Sequence, residues 1–181
     1  MKAARLVILG GVLLGLAGTA LILDKYFSQH LPNSGLAGEV SHAALMAVSF
    51  PDLTGKPQSL GQWQGKLLVI NFWATWCAPC REEMPALNRI HNKYQGKGLQ
   101  IVGIAADSVD NVVKFSKETV IGYPLLIDQA GAMEFSKRLG NRFSLLPHTV
   151  VIGTDGNQIF SKLGVIEEHG FEAIIIENLP K

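Results

Sequence analysis

Asn71-Phe72-Trp73-Ala74-Thr75-Trp76-Cys77-Ala78-Pro79-Cys80 is the stretch that decides how the rest of the chain is read. It holds the only two cysteines among 181 residues, separated by two positions. Residues 67–73, Leu-Leu-Val-Ile-Asn-Phe-Trp, alternate too little for a half-exposed strand. They read instead as a strand covered on both faces, as at the centre of an α/β sheet. Beyond Cys80, the residues Met84, Leu87, Ile90 and Tyr94 recur at helical spacing until about Gly96. Pro85 falls inside that helix and is expected to kink it. A strand that delivers Cys-x-x-Cys to a helix start has the layout of a thiol–disulfide redox site.

The N-terminal residues stand apart from this pattern. Residues 1–5 carry Lys2 and Arg5, and residues 6–23 then run without a charge and are mostly Leu, Ile, Val, Ala and Gly. That run is just long enough to cross a hydrocarbon core of about 30 Å as a helix. A cleaved signal peptide is the rival reading, because Gly18-Thr19-Ala20 is small enough for a cleavage site. The apolar run continues past it to Leu23, and no cysteine there offers a lipidation point, which favours an uncleaved anchor. The basic residues then mark 1–5 as cytoplasmic and set the remainder outside.

Residues 24–44 mix Pro32, Asn33, Ser34, Gly35 and Gly38 without periodicity and read as a linker; 45–181 is one domain's worth of chain. Beyond Lys2 and Arg5, 14 of the 16 Lys and Arg remain against 15 acidic residues, so no basic stripe points to nucleic acid. Within the domain, 47–50 and 57–60 flank the turn Thr54-Gly55-Lys56-Pro57 as a hairpin, and 61–65 is a short helical turn. Strands are expected at 99–105 and 123–127, with helices at 109–119 and 130–139. Residues 149–152 and 158–161 flank Thr154-Asp155-Gly156-Asn157, a strong hairpin signal, and 166–178 closes as a helix. Strands alternating with helices, then a hairpin and a last helix, describe an α/β sandwich with a mixed sheet.

Disulfide exchange needs an exposed thiolate to attack and a second thiol to resolve the mixed disulfide. Cys77 at a helix N-terminus meets the positive end of the dipole and unpaired N–H groups, which favour its thiolate. Cys80, one turn further in, is the resolving thiol, and Pro79 lacks an N–H where none is needed. Other uses of the pair fit less well. Haem attachment would put His where Arg81 stands, and zinc would need a second ligand pair, whereas His91 lies eleven residues on. A peroxiredoxin would carry Pro-x-x-x-Thr/Ser-x-x-Cys, but Ile70 and Ala74 occupy those positions. A purely structural disulfide across so short a loop would add little stability.

The segment 72–85, FWATWCAPCREEMP, resembles the active-site segment of membrane-anchored thioredoxin-like proteins of the TlpA/ResA/DsbE type. The likeness extends from about residue 47 to the C-terminus and includes Phe50-Pro51-Asp52-Leu53-Thr54-Gly55-Lys56 and Leu146-Pro147-His148-Thr149. It implies a thioredoxin-like three-layer sandwich with an N-terminal hairpin and a strand–helix insertion, for which 107–140 is long enough. It also implies a single-pass inner-membrane protein whose catalytic domain faces the bacterial periplasm. Such a protein reduces disulfides in apocytochrome c, copper-site or other envelope clients, and a membrane thiol carrier supplies its electrons. No cofactor beyond the Cys77–Cys80 pair and no metal is implied, and a monomer is expected.

Carried over by residue, the resemblance makes Cys77 the nucleophile and Cys80 its resolving partner. Pro147 is the cis-proline facing them, and the Leu146 backbone pairs with the client. Trp76, Ala78, Pro79 and His148 join Leu146 as expected client contacts, and Trp73 is either rim or core. Thioredoxin has a buried Asp six residues before the first Cys, where this chain has Asn71. Glu83, three residues after Cys80, matches an acidic residue of ResA-like members and is expected to exchange the resolving thiol's proton. A surface Glu favouring the helix N-terminus is the plainer alternative. His148 departs from the Thr common after this proline; its imidazole either tunes the thiolate or packs locally. An oxidant or isomerase, or a client-binding module with slow turnover, remain alternatives to a reductase.

Overall fold

The structure is a computed structural model, and residues 41–180 are described. The element order is α1 (His42–Met46), β1 (Ser49–Pro51), β2 (Pro57–Ser59), β3 (Leu67–Trp73), α2 (Ala78–Tyr94), β4 (Leu99–Ala105), α3 (Val109–Glu118) and β5 (Leu125–Ile127). Then follow α4 (Gly131–Arg138), β6 (His148–Ile152), β7 (Gln158–Leu163) and α5 (Glu168–Asn178). β1 and β2 form the antiparallel hairpin, and the five remaining strands make one sheet in the order β5-β4-β3-β6-β7. β4 and β5 run parallel to their neighbours, β6 and β7 antiparallel, so the sheet is mixed.

β3 sits at the centre with all seven residues buried, as its unbroken apolar run requires. Its alternate side chains enter two different cores. Leu67, Val69 and Trp73 join Met84, Leu87, Ile90 and Tyr94 of α2, Val112 of α3 and Ile175 of α5. Leu68, Ile70 and Phe72 join Leu45 of α1, Phe50 of the hairpin and Phe135 of α4. This is the three-layer thioredoxin-like sandwich, and residues 107–140 hold α3, β5 and α4.

Several boundaries shift, each for a local reason. α1 begins inside the stretch read as linker, where Ser41 caps it by accepting from the Ala44 N–H and Leu45 anchors it in the core. β5 starts only after Pro124. α5 starts at Glu168 because the Glu167 carboxylate accepts from the His169 and Gly170 N–H groups. α2 runs through Pro85 as a single helix to Tyr94. The last hairpin turn forms as its sequence predicts: Gly153 N–H donates to Asn157 O at 2.8 Å and Gly156 takes φ 84°. The anchor expected at 6–23 and most of the linker lie outside the described residues. Among the described residues no helix is long and apolar enough to cross a membrane.

Candidate active site

β3 ends at Trp73, and residues 74–77 turn the chain into α2. That turn is fastened from the side. Asp107, just past β4, accepts from the Thr75 N–H at 2.9 Å and from the Thr75 hydroxyl at 2.5 Å. It also accepts from Ser108 N–H and Asn111 Nδ2. Burial raises its pKa, but these hydrogen bonds together outweigh burial and hold Asp107 below its ordinary value. Sequence reading missed this clamp, because its partner stands 32 residues away. Asp107→Ala is expected to cost about 1–3 kcal/mol by leaving the Thr75 donors unpaired, read as a lower urea midpoint.

Cys77 is the N-cap of α2 and its sulfur accepts from the Cys80 N–H at 3.3 Å. The two cysteines form a disulfide with Cα atoms 5.3 Å apart. Cys80 is fully buried and Cys77 nearly so, while the intervening Ala78 and Pro79 are exposed. Trp76, 69% exposed, stands beside Cys77, whereas Trp73 is entirely core and packs on Phe115. The two tryptophans therefore divide between rim and interior.

The Leu146–Pro147 bond is cis. Pairing of Phe72 with His148 puts Pro147 level with Trp73, at the end of β3 from which the cysteine turn departs. Leu146 is half-buried between the two cores, and Phe143 and Leu145, at 75% and 53% exposure, lie in the loop before it.

Glu83 is no surface residue. Three positions after Cys80 it lies on the same face of α2 and is 2% exposed. One carboxylate oxygen accepts from Asn71 Nδ2 at 2.7 Å, the other from the Ile166 N–H at 2.8 Å. Asn71 also donates to the Thr149 hydroxyl at 3.0 Å. Burial pushes the Glu83 pKa up, against the opposing pull of the two N–H donors and of Lys162. A carboxyl poised to hold a proton thus sits one helical turn from the buried sulfur, and Asn71, unable to ionise, orients it.

Of the two readings of His148, the structure shows local packing, with the side chain directed away from the cysteines and from the expected client contacts. Along β6, Val151 faces the α2 core whereas Val150 and Ile152 face the α4 core. Alternation therefore turns Thr149 toward Asn71 and His148 away from the cysteines. His148 is fully buried, stacked on Phe72 with ring centroids 5.5 Å apart, and burial pushes its pKa down to about 4. Among the described residues no group of His, Cys, Asp and Glu converges as a metal site.

Comparison with known proteins agrees with this geometry. The AhpC/TSA family profile matches residues 42–159. The thiol-disulfide oxidoreductase ResA of Bacillus thuringiensis is 40% identical over 109 residues, which cover 60% of this chain and 61% of that protein. The chain thus spans about three fifths of the length of the curated relatives it matches. A thioredoxin-related protein from Neisseria meningitidis serogroup B is 34% identical, with TM-score 0.63, covering 71% of this chain and 97% of that one. A secreted Mycobacterium tuberculosis disulfide oxidoreductase homologous to E. coli DsbE shares the fold at 21% identity and TM-score 0.63, covering 73% and 96% of the two chains. Ile70 and Ala74 still stand where a peroxide-reducing site would need Pro and a hydroxyl. The chain belongs to the AhpC/TSA family and has the thioredoxin fold.

Proposed function

We propose that this protein is a thiol–disulfide oxidoreductase that reduces disulfides of client proteins outside the cytoplasm, held at the inner membrane by residues 6–23. The observation that carries the reading is the asymmetric pair: Cys77 caps α2 at an apolar rim, while Cys80 is sealed beside buried Glu83.

In the reduced protein, the Cys77 thiolate attacks one sulfur of the client disulfide. A mixed disulfide forms and the first client thiolate leaves. Glu83 takes the Cys80 proton, and the Cys80 thiolate then attacks the Cys77 sulfur. The Cys77–Cys80 disulfide forms and the second client sulfur departs as a thiolate, so two electrons have passed to the client. Regeneration needs two electrons from a dithiol donor, for which a membrane thiol carrier is the natural source. The N–H groups at the start of α2 stabilise the Cys77 thiolate of the reduced protein. Clients of the apocytochrome c or copper-site kind suit a domain tethered to the envelope.

Equilibration in glutathione or dithiothreitol buffers measures the direction of flow. A reductase of this kind has a midpoint potential near the thioredoxin level of about −270 mV. A value near about −120 mV would identify an oxidant and sink the proposal.

A further inference from the structure

Behind the cis-proline loop, on the face of the sheet away from the cysteines, runs a chain of buried polar side chains. Asn141, Ser136 and His148 are each fully buried, and every link is a hydrogen bond of 3.0 Å or less. The chain starts on the backbone of Leu145. Asn141 Nδ2 donates to Leu145 O at 2.7 Å, and Leu145 N–H donates to Asn141 Oδ1 at 3.0 Å. Those two backbone groups have fixed polarity, so the Asn141 amide has only one orientation.

Its second Nδ2 hydrogen goes to Ser136 Oγ at 2.9 Å. Ser136 Oγ accepts from Asn141 and lies 2.9 Å from His148 Nδ1, placed to turn its own hydrogen there. With that donor, His148 Nδ1 is bare and Nε2 carries the proton toward Ser161 Oγ at 3.0 Å. The Leu145 backbone fixes the Asn141 amide and, through it, the acceptor role of Ser136 Oγ.

We propose that His148 is a positioning residue for client binding. As the neutral Nε2–H tautomer it acts through Ser136 and Asn141 to hold the backbone of Leu145 beside the cis-proline. The segment it holds bears Phe143 and Leu145, an exposed apolar pair in the loop before the cis-proline, and includes Ser144 in the left-handed region at φ 54°. A non-glycine residue rarely rests there unless its surroundings over-determine it. The Ser144 N–H to Asn141 O bond and the Asn141 side chain supply that restraint. Because His148 lies on the far face of the sheet, it acts on the shape of the rim and not on the sulfurs. The inference rests on the reductase reading, since it assigns the rim to client binding.

The test separates the two. Reduced wild type, His148→Leu, His148→Asn and Ser136→Ala are assayed with insulin as a protein disulfide and with 5,5′-dithiobis(2-nitrobenzoate) as a small one. Amide hydrogen exchange is followed at Leu145. His148→Leu and Ser136→Ala are expected to raise the KM for insulin at least fivefold and to speed Leu145 exchange at least tenfold. Their kcat and their rate with the small disulfide stay within twofold of wild type. His148→Asn, whose Oδ1 sits where Nδ1 did, keeps KM within twofold. An unchanged KM, or equal slowing toward both disulfides, overturns the inference for an otherwise active protein. If wild type reduces neither probe, the functional reading itself fails, and the inference with it. Ser136→Ala leaves His148 in place, so one poorly folded variant does not decide the outcome.

Discussion

Replacing Cys77 by Ser is expected to abolish disulfide reduction, with a loss of about 10³-fold or more, whereas Cys80→Ser is expected to accumulate a covalent adduct to a client. The contrast follows from where the sulfurs sit. Cys77 is the N-cap, and its sulfur accepts from the Cys80 N–H. Serine is among the best N-caps, so the Cys77→Ser oxygen takes over that bond and the helix start survives. Loss of activity then reports lost chemistry and not unfolding. With Cys80→Ser, attack still proceeds, but nothing displaces the client sulfur from Cys77. Non-reducing gels and mass spectrometry of cells expressing the variant read the adduct. Absence of any adduct to Cys77 would remove the enzyme reading and leave a binding module.

The second large effect is expected at Glu83. Glu83→Gln should slow resolution by about 10²-fold, the usual worth of a positioned acid–base group. The substitution is sterically tolerated. Glutamine presents one acceptor and one donor where the carboxylate offered two acceptors. The Ile166 N–H can keep the acceptor, while Asn71 turns its amide so that Oδ1, unpartnered in the present orientation, receives the new N–H. Stopped-flow measurement across pH 6 to 9 should show a flattened profile for the variant. An unchanged rate throughout that range would take Glu83 out of the mechanism.

Glu83 also predicts a slope in stability. Its pKa is raised on folding, mainly by burial. The native state therefore retains a proton that the unfolded chain has released. Stability falls as pH rises from the unfolded carboxyl's value through the higher folded one. Urea denaturation at several pH values should show this decline in wild type and its loss in Glu83→Gln. His148 slopes the other way. Its folded pKa of about 4 lies below the ordinary 6.5, so its contribution is complete above 6.5 and is lost as pH drops toward 4.

Sequence resolves those parts of the molecule that neighbours along the chain determine. The apolar run of β3, the 3.6-residue spacing of Met84, Leu87 and Ile90, and the Asp155-Gly156 turn are local signals, and each element formed close to its expected bounds. Cys77 and Cys80 declare themselves by spacing alone. The environment of Glu83 does not, because it is made by Asn71 on one strand, Thr149 on another and the Ile166 backbone 83 residues further on. Only long-range pairing tells a buried Glu from a surface one. The face that His148 takes is illegible for a different reason. All five residues of β6 are buried, so no polar–apolar alternation distinguishes the face toward α2 from the face toward α4. Asp107 resembles any helix-initiating acid until the sheet brings Thr75 to it.

The position of β3 between a parallel and an antiparallel neighbour also dictates the order in which the domain can assemble. β4 follows α2 directly, but β6 joins β3 only after the whole of α3, β5 and α4 has been made, and the Asn71–Thr149 bond spans 78 residues. Closing so long a loop is an entropic barrier that local contacts do not relieve. In synthesis the cysteine helix is therefore made before Pro147, Thr149 and Ile166. A nascent chain carries its sulfurs early and its selectivity last. With only two cysteines it has a single intramolecular pairing to make, so this interval cannot trap a wrong internal disulfide.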